Sequence, residues 1–126
     1  MATDHRPMPA DPAVLYQHAP DLLTEAAELL TASSRLLTQT LAGDPPDEED
    51  ERHYALRRAV QADRVALAHP DPRMQDHAEE AARTLADTDR ARPYLAPAGI
   101  PRPAADAPAA VLRTYVRACY DAAPWT

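Results

Sequence analysis

Hydrophobic positions recur at helical spacing along most of the chain, and no stretch alternates apolar and polar residues for long enough to make a strand. The clearest case is residues 21–42, where two adjacent rows of leucines each repeat every seven residues. The rows are Leu22, Leu29 and Leu36, and beside them Leu23, Leu30 and Leu37. Because adjacent helical positions diverge by about 100°, this pattern predicts a long amphipathic helix with a broad apolar arc.

Proline and aspartate mark where the helices begin. Aspartate at the N-cap accepts hydrogen bonds from free backbone N–H groups, and proline at the first helical position lacks an N–H that would have no partner. These signals predict a short helix over 12–18 and long helices over 21–42, 45–68, 72–91 and 107–123. Gly43 predicts a left-handed cap at the end of the first long helix.

Prolines are dense over residues 92–106, which predicts an extended connector rather than a helix. We expect this strap to run along the other helices and let the last helix pack parallel to its predecessor. The chain is therefore predicted to be all-α. Residues 12–126 form one four-helix-bundle-like domain with a short extra N-terminal helix, and residues 1–11 precede it as a flexible tail.

Composition narrows the functional classes. The chain has 126 residues, enough for one core, and a net charge of −7, which disfavours nucleic-acid binding. Lysine, asparagine and phenylalanine are absent and isoleucine occurs once, as expected from a GC-rich bacterial genome such as that of an actinobacterium. The single Cys119 excludes an intrachain disulfide, and no apolar segment is long enough for a membrane span. We expect a cytoplasmic protein with no membrane partner.

The stretch RVALAHPDPRMQDHAEE, residues 64–80, places two histidines, two arginines and four carboxylates within seventeen positions. Its structural interpretation is a helix boundary, because a residue before proline is pushed out of the helical region and His69 precedes Pro70. The spacing of Arg64 and His69 also resembles the catalytic Arg-x(4–6)-His motif of HEPN ribonucleases. This resemblance, which covers these two residues, implies phosphodiester cleavage at a composite site in a dimer.

Other candidate chemistry is sparse. Di-iron bundles use Glu-x-x-His motifs, and no histidine here has a glutamate three residues before it. We expect no metal and no cofactor; if a metal were present, Glu25, Glu28, Glu49 and His53 would be the ligands to consider. A pocket between helices for a small ligand, lined by Tyr54, Tyr115 and Trp125, is a further alternative.

The leading hypothesis is a small helical accessory or adaptor protein that acts by protein–protein contact. This favours a non-enzymatic role and leaves the question of an enzymatic activity open. The two leucine rows, formed by Leu22, Leu23, Leu29, Leu30, Leu36 and Leu37, are wider than one partner helix needs. Packing in the core explains part of this surface, and a homodimer or a partner protein explains the remainder. The ribonuclease and the ligand-binding bundle remain the alternatives.

Overall fold

Five α-helices and one short 3₁₀-helix carry the fold. The structure is a computed structural model that describes residues 7–125, so residues 1–6 of the expected tail and Thr126 lie outside the described residues. The helices are α1 (Pro12–Leu15), α2 (Leu22–Leu41), α3 (Glu48–Ala68), α4 (Pro72–Ala91) and α5 (Ala109–Ala122), with a 3₁₀ turn at Pro93–Leu95. Residues 7–125 contain no strand, which confirms the all-α prediction.

Aspartate N-caps begin four of these helices. The Asp71 side chain accepts a hydrogen bond from the backbone N–H of Met74 at 3.0 Å, and Pro72 occupies the first helical position, as predicted. Asp11 and Asp21 cap α1 and α2 in the same way. Gly43 follows α2 with a φ of +78°, the left-handed conformation that ends many helices.

Two predicted helix starts are wrong. α3 begins at Glu48 with Asp47 as its cap, and not at Pro45, because Pro46 forces the residue before it out of the helical region. α5 begins at Ala109, where Pro108 is the cap residue and Asp106 makes no cap hydrogen bond. α1 is also shorter than predicted, ending at Leu15 with Tyr16 as its cap.

α3 is the central helix of the domain, since it packs against α2, α4 and α5. The buried core is small and rich in alanine, which lets the helices approach closely. α3, α4 and α5 supply most of it: Leu56, Ala59, Val60, Ala81, Ala82, Leu85, Ala86, Leu112, Tyr115, Val116, Cys119 and Tyr120. Met8, from the predicted tail, is half-buried against this core.

Ion pairs and hydrogen bonds fix the helix directions. Arg57 of α3 contacts Glu25 and Glu28 of α2, and Gln61 reaches back to Leu22, so these two helices are antiparallel. Arg83 of α4 donates to the carbonyl of Ala107 at 3.0 Å. Later in both helices, Tyr115 of α5 donates to Asp89 of α4. The order of these contacts makes α4 and α5 parallel, as the connector over residues 92–106 was expected to allow.

Candidate interaction surface

α2 has a defined start and end, so the positions of its two faces are fixed. Its N-cap Asp21 accepts hydrogen bonds from the backbone N–H groups of Leu23 and Thr24, at 3.1 and 3.2 Å. The helix runs for twenty residues, and α3 is the one helix of the described residues that it packs against. One side of α2 is therefore covered, and the opposite side has no neighbour within the described part of the chain.

The covered face of α2 is held by a polar contact. Glu25 is the only residue of α2 that is fully buried. Arg57 of α3 donates to it from both Nε and Nη2, the first at 2.9 Å, and the indole Nε1 of Trp125 donates to it at 3.3 Å. Hydrogen bonding to Glu25 raises the pKa of Arg57. A charge-assisted, two-pronged contact of this kind fixes geometry as well as contributing stability.

The two leucine rows of α2 have different surroundings. Leu22, Leu29 and Leu36 are half-buried on the side that carries Glu25. Leu23, Leu30 and Leu37 lie about 100° further round the helix. The second row and the last leucine of the helix are largely exposed, at 82% for Leu23, 72% for Leu30, 59% for Leu37 and 78% for Leu41. Exposed large apolar side chains that are contiguous, unlike scattered ones, mark contact surfaces.

These leucines belong to a longer uncharged strip, which we call the leucine stripe: Leu23, Ala27, Leu30, Ser34, Leu37 and Leu41. It repeats with steps of three and four residues over about 27 Å of helix. All six residues are exposed. α2 contains only three charged residues, Glu25, Glu28 and Arg35, and none of them falls on the leucine stripe.

The flanks of the leucine stripe are threonines rather than charges. Thr24, Thr31 and Thr38 run along one side of it. The hydroxyl of Thr31 donates to the carbonyl of Ala27 at 3.2 Å, so this group is satisfied within its own helix. A partner that covers the leucine stripe therefore removes little charge from water, and desolvating charge is the main cost of a buried polar contact.

Two buried carboxylates were not anticipated from the sequence. Asp63 of α3 accepts hydrogen bonds from the Tyr16 hydroxyl at 2.8 Å, from Arg113 Nε at 2.7 Å and from Arg117 Nε at 2.9 Å. Burial, with the neighbouring Asp63 carboxylate, raises the pKa of Tyr16. Asp63 occupies an apolar position of α3, between Val60 and Ala66. A carboxylate inside an apolar row was the signal in the sequence.

Asp89 of α4 forms a similar cluster. It accepts hydrogen bonds from Arg52 at 3.0 Å and from the Tyr115 hydroxyl at 2.6 Å, and its side chain is fully buried. Burial raises the pKa of the neighbouring Cys119, which disfavours the reactive thiolate. Both carboxylates accept hydrogen bonds from side chains of other elements, so the two clusters join the helices of the domain.

The two residues of the ribonuclease resemblance lie in different environments. Arg64 is half-buried within α3, beside an open groove that Tyr16 and Leu67 also line. His69 is exposed just past the end of α3, and its backbone N–H caps the helix by bonding to the carbonyl of Val65 at 2.8 Å. The helix-boundary interpretation of His69 thus matches its backbone conformation.

Of the three aromatic residues in the ligand-pocket alternative, Tyr115 and Trp125 already contact other side chains of the domain. Tyr115 donates to Asp89, and Trp125 donates to Glu25 while packing edge-on against Tyr120 with ring centres 5.0 Å apart. Tyr54 is half-buried in α3. Tyr115 does line an open groove of about 470 Å³ between the connector and α5.

The four residues considered as metal ligands lie in two separate places. Arg57 bridges Glu25 and Glu28, while Glu49 and His53 line a separate shallow cavity. Burial and the nearby cations Arg57 and Arg52 lower the pKa of His53. Within residues 7–125, no three His, Cys, Asp or Glu side chains are grouped so as to hold a metal ion.

Comparisons with known proteins found no relative of this chain. No protein-family description, curated protein or solved structure matches this chain. Among the helices of residues 7–125, none combines the length and the apolar character that crossing a bilayer requires. The geometry of the described residues is therefore the basis for the function proposed next.

Proposed function

We propose that this chain is a small helical accessory protein that works by protein–protein contact through the leucine stripe of α2. The observation that carries the proposal is the exposure of Leu23, Leu30, Leu37 and Leu41 on a helix that packs against one other helix among the described residues. An apolar face of this length favours the helix-in-groove or helix-on-helix mode of recognition, in which side chains at three- and four-residue steps anchor the partner.

The energetics support a partner that is itself apolar and helical. Fully burying a leucine is worth about 1.5–3 kcal/mol, so covering the exposed fractions of these four leucines is worth roughly 4–9 kcal/mol. Association costs about 4–15 kcal/mol in lost freedom. The leucine stripe alone therefore does not supply tight binding, and the partner must contribute an apolar surface of its own.

The remaining polar groups favour a binding role over catalysis. The three buried carboxylates, Glu25, Asp63 and Asp89, are each neutralised by arginine within the chain. The buried Cys119 has a pKa raised by burial, which makes it a poor nucleophile. We also propose that the protein acts in the reducing cytoplasm of a bacterium with a GC-rich genome, where a free thiol persists.

Photo-crosslinking in the cells that make the protein tests this proposal. A photoreactive amino acid replaces Leu30 in the full chain, and in a matched control it replaces Val111, which is 47% exposed on α5. We expect a discrete protein adduct at position 30 and a much weaker one at 111. An absence of adducts at position 30, or equal adducts at both positions, would contradict the proposal.

A second comparison separates lost binding from lost folding. Leu30→Glu places a carboxylate in water, so the melting temperature should change little. Leu29→Glu places one on the half-buried side of α2, where it loses part of its hydration, so the melting temperature should fall further. The variant suitable for binding experiments is therefore Leu30→Glu, provided that its thermal melt matches that of the natural chain.

A further inference from the structure

The order of large and small residues along the leucine stripe carries information about its partner. Leu23, Leu30 and Leu37 recur every seven residues, and Ala27, Ser34 and Leu41 recur every seven residues between them. Such alternating steps are the a and d positions of a two-stranded coiled coil. When two such helices pack, each large side chain enters a space between residues of the facing helix.

A two-fold axis that relates two copies of α2 makes the leucine stripe complementary to itself. Suppose that the two-fold axis crosses the helix pair at the level of residue 32. In an antiparallel pair, each residue then faces the residue of the second copy for which the two residue numbers add up to 64. Leu30 then faces Ser34 of the second copy, and Leu37 faces its Ala27. At both ends Leu23 faces Leu41. Each small residue thus packs against a leucine of the second copy, and all six residues of the leucine stripe take part in the contact.

The position of this axis also fits the length of α2. The helix runs from Leu22 to Leu41, so its midpoint lies between residues 31 and 32. Two copies that pair around that point overlap along almost the whole helix, and neither leaves exposed leucines beyond the end of the other. An isologous contact requires a surface that complements its own copy, and the leucine stripe has this property.

The charge distribution leaves the leucine stripe free of repulsion between two copies. The chain has a net charge of −7, so two copies repel each other unless the contact itself is neutral. The leucine stripe is neutral, and its threonine flank, Thr24, Thr31 and Thr38, adds no like charges. The three charged residues of α2 include Glu25 and Glu28, which Arg57 holds on the α3 side.

We propose that the occupant of the leucine stripe is a second copy of this chain, bound through α2 in an antiparallel pair. This inference rests on the proposed function, because it identifies the partner of the same surface. The contact is confined to α2, so we expect it to bury roughly 1,000 Å² in total, near the lower limit of specific interfaces. The dimer should accordingly depend on concentration, with dissociation in the micromolar range.

Sedimentation of the purified full chain over micromolar concentrations tests the stoichiometry. We expect the mass to rise from 13.8 kDa toward twice that value. Leu30→Glu should raise the dissociation constant at least about 100-fold, because it buries two carboxylates at the centre of the pair. Val111→Glu, which alters an exposed apolar residue of α5, should leave the constant unchanged. Circular dichroism confirms that each variant remains helical.

Single cysteines test the antiparallel arrangement. Thr31→Cys lies beside the axis, about 3 Å along the helix from its own copy, so a short thiol crosslinker should join two chains. Thr24→Cys should not react in this way, because the copies of position 24 are about 24 Å apart. The native Cys119 is buried and does not compete. A parallel pair would crosslink equally at both positions and would overturn the arrangement.

Failure of this inference is distinguishable from failure of the proposed function. A natural chain that stays monomeric at every concentration would overturn the self-association, and a dimer that survives Leu30→Glu would overturn its assignment to the leucine stripe. Photo-crosslinking at Leu30 would then decide the wider proposal: an adduct to a different protein would retain it. An absence of any adduct would remove both.

Discussion

Replacement of Asp63 by alanine should be among the most damaging single substitutions in this domain. The change leaves Arg113 and Arg117 without the carboxylate that they share and leaves the Tyr16 hydroxyl without its acceptor. Removing one partner of a buried ion pair costs about 3–5 kcal/mol. An unsatisfied buried hydroxyl adds about 1–3 kcal/mol.

Partial exposure of the two arginines reduces this cost. Their side chains are 18% and 21% exposed, so both can turn toward water once Asp63 is gone, whereas Tyr16 is buried. We therefore expect a loss of about 4 kcal/mol in the free energy of unfolding. A domain of this size has a total of roughly 6–19 kcal/mol, so the loss is a large fraction of its stability.

Asp87→Ala is the matched control, because Asp87 also lies in a helix and pairs with an arginine, Arg90. Its side chain is 56% exposed, and exposed pairs contribute about 0–1 kcal/mol. Urea unfolding followed by circular dichroism, at one fixed protein concentration, measures both variants. If Asp63→Ala lost no more stability than Asp87→Ala, the assignment of Asp63 as a helix-joining group would be wrong.

Three other measurements follow from the structure. Asp71→Ala should lower the free energy of unfolding by about 0.5–2 kcal/mol through loss of the α4 N-cap. Asp76→Ala in the same helix should change the free energy of unfolding much less. Equal effects of the two substitutions in urea melts would contradict the capping role. Burial and hydrogen bonds to carboxylates raise the pKa values of Tyr16 and Tyr115. Folded chains therefore keep these phenols protonated above pH 10, where unfolded chains lose the proton. The contribution of these two phenols to stability should be constant below about pH 10 and fall above it. Thermal melts of Tyr16→Phe should show a smaller alkaline loss. Salt should strengthen dimerisation, because it screens the repulsion between two chains of charge −7. A dissociation constant, measured by sedimentation, that rises with salt would instead indicate a contact between opposite charges.

The sequence predicts the helices well where local chemistry decides them. α4 has the bounds that Asp71, Pro72 and the residues up to Ala91 predict, because N-capping and proline act within one turn. The start of α3 was misplaced because Asp44-Pro45 carries the same local signal, and only the second proline at position 46 cancels it. Helix termini are thus predictable when one signal acts and unreliable when two compete.

The surroundings of each helix face could not be predicted in the same way. The repeat of leucines in α2 showed that its apolar arc is broad, but not which row faces α3. That choice depends on Arg57 and Gln61, which are more than thirty residues away and fix the rotation of α2 through Glu25 and the Leu22 carbonyl. The partners of Asp63 are likewise distant, since Arg113 lies fifty positions further on.

The packing of α2 against one other helix, α3, has a consequence for how the domain opens. Proteins unfold locally in cooperative units, and a helix with one helical neighbour and a largely exposed apolar face belongs to the least protected of them. We expect the amide hydrogens of α2 to exchange faster than those of α3, α4 and α5. Because a ligand stabilises only the state that it binds, occupancy of α2 should slow this exchange without altering the interior. The helix that presents the contact is then also the part of the chain whose local folding responds to it.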